Sequence, residues 1–209
     1  NGRAVILAYA LGEESFQDMN GNNIYDLSGS EPFTDLGQVF VDANENGTID
    51  NGEQYFAYGS GSRDCGVPMS TSPQVPNVDG TCDQKWGPAY VRQHNLIVLS
   101  GPHARVNSSS FSMKGQCTYT FDFKLFDQNN NPMPEESRIE AIIEGTEFTS
   151  AKVSPDAVPD TAALGGTSHS LTLKRKETTG CNDVLDRTLP LEITTPGGHV
   201  TSINLTITD

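Results

Sequence analysis

The run Asp42-Ala-Asn44-Glu-Asn46-Gly47-Thr48-Ile49-Asp50-Asn-Gly-Glu53 constrains this chain more than any other feature. Oxygen-bearing side chains stand at positions 1, 3, 5 and 9 of the run, glycine at 6, an aliphatic residue at 8 and glutamate at 12. That is the ligand spacing of a calcium loop. Ca2+ takes about six to eight oxygens, so the chain must curl tightly and aim alternate side chains inward. In this reading Asp42, Asn44, Asn46 and Asp50 supply side-chain oxygens and Thr48 its backbone carbonyl. Gly47 permits the turn, and Glu53 closes the shell with two oxygens. The competing reading is an Asn/Asp/Gly-rich hairpin turn without a metal.

A second copy lies upstream. Asp18, Asn20, Asn22 and Asp26 repeat positions 1, 3, 5 and 9, and Ile24 takes the carbonyl position. Asn23 replaces the glycine, which asparagine's tolerance of the left-handed conformation allows. Position 12 is Gly29, so the in-register carboxylate is missing; Glu31 could supply it if Leu27 to Ser30 bulges. The flanks repeat as well: Glu14-Ser-Phe16-Gln-Asp18 precedes the loop and Glu31-Pro-Phe33-Thr-Asp35 follows it. This is an internal repeat of acidic loops joined by aromatic residues. Glu14 and Asp35 read either as further ligands or as solvated turn residues.

Neither loop has helical flanks. Pro32 to Val41 holds proline, glycine and β-branched residues, and Gln54 to Gly61 is no better a helix former. A sensor EF-hand works by swinging its helices. Calcium here is expected instead to order a stretch too polar to fold alone. Of the net charge of −14, the first sixty residues carry −9, from ten acidic residues against Arg3. Such a surface repels nucleic acid and anionic membranes. Lys174-Arg175-Lys176 reads as a solvated strand end. No stretch has the roughly 18 apolar residues of a membrane span. Ala4 to Leu11 is too short and lacks signal-peptide features, so the chain reads as processed or as a piece of something longer.

Four cysteines, Cys65, Cys82, Cys117 and Cys181, fit two disulfides and an oxidising compartment. Of three pairings we expect Cys65–Cys82 and Cys117–Cys181. The first closes a Gly/Ser/Pro-rich loop with little apolar content and contributes about 3 kcal/mol by the chain-entropy estimate. A zinc site fits poorly, because no C-x-x-C spacing occurs and the histidines are scattered.

The second half alternates with a period of two. Cys117, Tyr119, Phe121, Phe123 and Leu125 form one face of a strand. Ile139, Ala141 and Ile143 mark another, then Phe148 to Val153, Leu171 and Leu173, Leu189 to Ile193, and Ile203 to Ile207. Pro196-Gly-Gly198 joins the last two as a hairpin. With Tyr90 to Leu99 as a first strand, seven strands fit an all-β, Ig-like antiparallel β-sandwich. In up-and-down order Cys117 and Cys181 fall at the same end, which supports their pairing as an end clasp. Strand A starts and strand G finishes at opposite ends, the arrangement of beads on a string. The expected division is an N-terminal strand (1–11) ending a preceding domain or donated to another chain, a calcium-binding segment (12–60), a disulfide-closed loop (61–89) and the sandwich (90–209).

Several passages resemble a known family. Ile6-Leu-Ala-Tyr-Ala-Leu-Gly-Glu-Glu14-Ser-Phe, the two D-x-N-x-N loops, Cys82-Asp-Gln-Lys-Trp-Gly87 and Ile97-Val-Leu-Ser-Gly101 resemble Ig-like repeat proteins of bacterial surfaces. Thr118 to Pro134 resembles the strand, Asp, Asn-Pro passage of invasin/intimin-type domains. Asn129 to Asn131 stands where that family often has glycine. The resemblance implies stacked Ig-like domains on a bacterial cell-surface adhesin or extracellular filament, partnered by neighbouring domains or further copies of itself, with a host receptor or glycan as target.

No nucleophile, base and orienting group can be assembled around His94, His103, His169 or His199, so an enzyme is not expected. The alternative function is a carbohydrate-binding module of a secreted enzyme, with Tyr55, Phe56, Tyr58 and Trp86 as candidate stacking platforms.

Overall fold

The computed structural model describes all residues except 28–30, 60, 67–76, 144, 146, 177–179, 182–185 and 209. Every helix-or-strand element among the described residues is a strand, and none is a helix that could cross a membrane. The chain forms two compact units, Ala4–Ile97 and Asn1–Arg3 with Val98–Asp209.

The first unit contains β1 (Arg3–Glu13), β2 (Val39–Phe40), β3 (Tyr55–Phe56) and β4 (Pro88–Val98). β1 pairs with β4 in one two-stranded sheet and β2 with β3 in another. Residues 90–97, expected to open the sandwich, therefore belong to β4 and pair with β1. The N-terminal strand, expected to end a preceding domain or to be donated to another chain, pairs with β4 of this chain. The expected 12–60 and 61–89 pieces likewise fall in one unit. Alternation along β4 reports a half-buried strand and carries no information about which sheet it joins.

The second unit is a sandwich of β5 (Ala104–Val106), β6 (Ser110–Ser112), β7 (Thr118–Asp127), β8 (Arg138–Ala141), β9 (Phe148–Ser154), β10 (Thr167–Arg175), β11 (Arg187–Thr194) and β12 (Val200–Thr208). One sheet runs β5-β7-β10-β9 and the other β6-β12-β11-β8. This is the ABED and GFC order of an Ig-like sandwich, with β6 added parallel to β12. Register places Phe121 opposite Leu171 in one sheet and Leu189 opposite Leu205 in the other. Their inward faces meet in one core that includes Phe121, Phe123, Leu125, Leu171, Leu173, Leu191, Ile193 and Leu205. Each such side chain contributes about 1.5–3 kcal/mol of burial.

Two expectations about this unit need correction. Cys117 is exposed just before β7 rather than on its inner face. Arg175 is 2% exposed, not solvated, and its guanidinium donates to Gly180 O and Met113 O. Both disulfides form as expected, Cys65–Cys82 in the first unit and Cys117–Cys181 in the second.

Candidate metal centre

The polar run from Asp42 to Glu53 is curled by its own side chains. Asp42 accepts from the N–H groups of Asn46 (3.1 Å) and Gly47 (2.8 Å). Asn44 Oδ1 accepts from Asn46 N–H and Asn46 Oδ1 from Thr48 N–H. These short-range bonds are the turn-forming habit of Asp and Asn. Glu53 locks the ends together: Oε1 accepts from Ala43 N–H (2.7 Å) and Oε2 from Asp50 N–H (2.9 Å). The heads of Asn44 and Asn46 both reach Asp50 Oδ2 at 2.6 Å.

The upstream loop repeats most of these bonds, and its Asp18 also accepts from Gly21 N–H. Asp18 accepts from Asn22 and Asn23 N–H, Asn20 Oδ1 from Asn22 N–H and Asn22 Oδ1 from Ile24 N–H. Asn20 and Asn22 heads meet Asp26 Oδ2. Glu31 Oε1 accepts from Met19 N–H (3.0 Å) and Oε2 from Asp26 N–H (2.8 Å). Glu31 thus does for the first loop what Glu53 does for the second, despite two extra residues; residues 28–30 lie outside the described residues. Glu31 is 3% exposed, so its carboxylate is held as a built part of the unit.

The backbone agrees. Position 4 is left-handed in both loops, at Gly21 (φ 76°) and Glu45 (φ 64°), and so is position 6, at Asn23 (φ 59°) and Gly47 (φ 78°). Each loop spends its glycine at one of these positions and a tolerated residue at the other. That is why a sequence comparison at position 6 alone makes the first loop look defective.

The donors either loop would offer a cation are carboxylate oxygens, asparagine amides and main-chain carbonyls at Thr48 and Ile24. This hard-oxygen chemistry suits Ca2+ and not zinc. Among the described residues no three His, Cys, Asp or Glu side chains are grouped to hold a metal, so a cation in either loop would depend on the asparagines. In each loop the amide NH2 groups stand against the position-9 carboxylate where a cation would otherwise neutralise it. For an amide oxygen to face a cation there, the amide must turn over and give up the N–H bond its Oδ1 now accepts, from Asn46 or Thr48 in one loop and from Asn22 or Ile24 in the other. By donor type, the residues present fit calcium. The N–H of Asn23 first, then those of Gly21, Asn22 and Asn20, hold the Asp18 carboxyl below its ordinary range and keep it an anionic donor.

No protein-family model and no curated protein matches the sequence. The functional reading rests on the residues themselves.

Aromatic rings pin the loops. Tyr25 stacks on Trp86 at 4.9 Å between ring centroids, and Phe16 and Phe33 pack edge-on to Tyr25. Phe56 stacks on Tyr9 at 4.8 Å, and Tyr9 and Tyr58 pack against Tyr90. Trp86 also donates its indole N–H to Glu14 O at 2.7 Å. Phe56 and Trp86, two of the candidate glycan platforms, are thus committed to internal contacts, while Tyr55 and Tyr58 are 58% and 45% exposed.

Glu14 and Asp35 lie outside both loop networks. Glu14 is 5% exposed and accepts from Leu36 N–H (2.7 Å) and Gly87 N–H (3.1 Å), tying three distant segments together. Burial pushes its pKa up to about 7 against those two donors, and Asp35 and Asp83 add repulsion. Asp35, also raised by burial, accepts from Gln84 N–H, and among the described residues its buried Oδ1 has no hydrogen-bond partner. Arg92 is lowered to about 10 by burial, opposed by the Glu14 charge. Sequence reasoning found Glu14 but not its role, because its partners lie 22 and 73 residues away.

Proposed function

We propose that the chain is a calcium-stabilised structural or adhesive module of a bacterial extracellular surface protein or filament. The observation that carries this reading is the matched pair of loops, closed by Glu31 and Glu53 through equivalent hydrogen bonds. Two independent carboxylates placed alike, one across a changed spacing, point to a shared ligand rather than to a convenient turn. In this reading Asp18, Asn20, Asn22, Ile24, Asp26 and Glu31 hold one Ca2+, and Asp42, Asn44, Asn46, Thr48, Asp50 and Glu53 a second. The ions neutralise an acidic segment and remove its freedom.

The disulfides belong with an oxidising compartment, as an extracellular module requires. The sandwich also supports an array. The chain enters it where Ala104 lies opposite Asp127 and leaves where Ile207 lies opposite Arg187, at the far end. Neighbouring Ig-like domains or further copies joined end to end are the partners proposed. Phe56 and Trp86, two of the four candidate glycan platforms, are used internally, which favours this reading over a carbohydrate-binding module.

Extracellular calcium modules bind at about 10⁻⁴–10⁻³ M, so these sites would be filled outside a cell and empty inside. Calorimetric titration with Ca2+ should show two ions, with the unfolding midpoint of the loop-bearing unit raised relative to chelator. Asp42→Ala should remove one ion and Asp18→Ala the other. Absence of saturable heat together with identical melting in chelator would reduce both loops to polar turns.

A further inference from the structure

His103 and His199 are used by nothing described above. His103 immediately precedes β5, and His199 lies in the turn between β11 and β12, 96 residues later. They approach from different sheets of the sandwich, and both are exposed. Backbone bonds hold each in place. Thr195 N–H donates to His199 O (2.9 Å) and His199 N–H to Thr195 Oγ1 (3.1 Å). Ala104 N–H donates to Thr201 Oγ1 at 3.2 Å, fixing the segment next to His103 against β12. The two rings stand at 84° with Nε2 of His199 3.1 Å from Nδ1 of His103.

Two imidazole nitrogens at that separation can share a proton or share a metal ion. Nitrogens about 2.0–2.1 Å from one ion lie about 3.3 Å apart at tetrahedral angles and about 2.9 Å apart at right angles. The observed separation falls between these values. We propose that His103 and His199 form a bis-imidazole site for a divalent transition ion of the Cu2+, Ni2+ or Zn2+ class. The ligands are His103 Nδ1 and His199 Nε2. The hydrogen bond between them is the metal-free state of the same pair. Among the described residues no third His, Cys, Asp or Glu completes the set. The remaining positions fall to water or an incoming ligand, so the ion is accessible and exchangeable. Once bound, it clips the entry to one sheet to the last hairpin of the other. Calcium does not compete, because imidazole nitrogen suits transition ions and not a hard oxygen-seeking one.

The test is titration of the full chain with Cu2+, in the presence of calcium, by calorimetry and thermal unfolding. The expected result is one ion per chain and a rise of roughly 10 °C in the sandwich midpoint at about a hundredfold excess over the dissociation constant. His103→Gln and His199→Gln should each abolish the rise, while His94→Gln leaves it. Because both residues are exposed, the metal-free midpoints of the two variants should match the wild type and report intact folding. A Cu2+ response that survives either substitution, or that follows His94, would overturn the proposal.

Discussion

The two units reach a folded state by opposite means. The sandwich gathers eighteen buried apolar residues into one cluster, from Ala104 to Ile207. In the Ala4–Ile97 unit the buried hydrophobics among the described residues are four: Val39, Phe40, Cys82 and Ala89. What surrounds them is a disulfide, two rings of carboxylate–backbone bonds, two sets of aromatic contacts and a buried Glu14. Gly37 is buried against this disulfide, with Cys65 Sγ 2.9 Å and Cys82 Sγ 3.1 Å from where a Cβ would stand. A unit with so little apolar burial depends on cross-links and neutralised charge, as small cores generally do. The sandwich needs neither.

The largest effect should come from the sandwich core. Leu191→Ala empties a fully buried position and should cost about 2–5 kcal/mol, seen as a lower urea midpoint of that unit. Calcium should not restore it. Restoration by calcium would mean that the two units unfold together and would end the comparison. Reduction of the disulfides comes next. By chain entropy the Cys117–Cys181 link, spanning 64 residues, is worth about 4 kcal/mol and the Cys65–Cys82 link, spanning 17, about 3 kcal/mol. Yet Cys65→Ser should unfold its unit while Cys117→Ser leaves the sandwich folded with a lowered midpoint, because only the latter has a core in reserve. Protease digestion after each substitution distinguishes the cases.

How much of this was legible in the sequence divides along the same line. Strands β7, β10, β11 and β12 were readable because each buries one face against a single core, and burial of that kind writes a period of two. β5 and β6 were missed; three residues each cannot display a period. The cysteine pairing was readable because connectivity alone brings Cys117 and Cys181 to one end. In the loops the repeating Asp and Asn positions were readable, and so was Glu31 as a group that could close the first of them. The interchange of glycine between positions 4 and 6 was not, because it follows from backbone angles. Buried Arg175, Glu14 and the histidine pair were opaque for a common reason: each is satisfied by partners far away in the chain, such as Met113 O, Gly87 N–H or the other imidazole.

Removing one closing carboxylate sharpens the comparison further. Glu31→Gln and Glu53→Gln should each lose one calcium ion and lower the stability of the first unit in calcium by up to about 2.7 kcal/mol, the linkage gained at a hundredfold excess over the dissociation constant. Glu31→Gln should do more damage in chelator, because Glu31 is buried and Glu53 only half-buried. Hydrogen exchange would then rise across residues 12–60 and stay unchanged across 118–208. Matching increases in both ranges would show that the sandwich leans on the loops after all.

The smallest effect, and the most specific, concerns Glu14. Its pKa rises from the ordinary 4.5 to about 7 in the folded chain, with burial the main cause. The folded state therefore holds a proton that the unfolded state has already released. The associated stability is fully present below about pH 4.5 and is lost as the pH climbs through about 7. Asp35 and Asp83 oppose ionisation from the neighbouring segments, and Arg92 favours it. Allowing for solvent screening and for the Leu36 and Gly87 donors, about 1 kcal/mol is at stake. In excess chelator, which removes the opposite pH dependence of metal binding, the first unit should be more stable at pH 5 than at pH 8. Glu14→Gln should flatten that slope while leaving the sandwich's pH profile unchanged. An equal slope in wild type and variant would move the titrating proton from Glu14 to Asp35, whose carboxyl is also raised by burial.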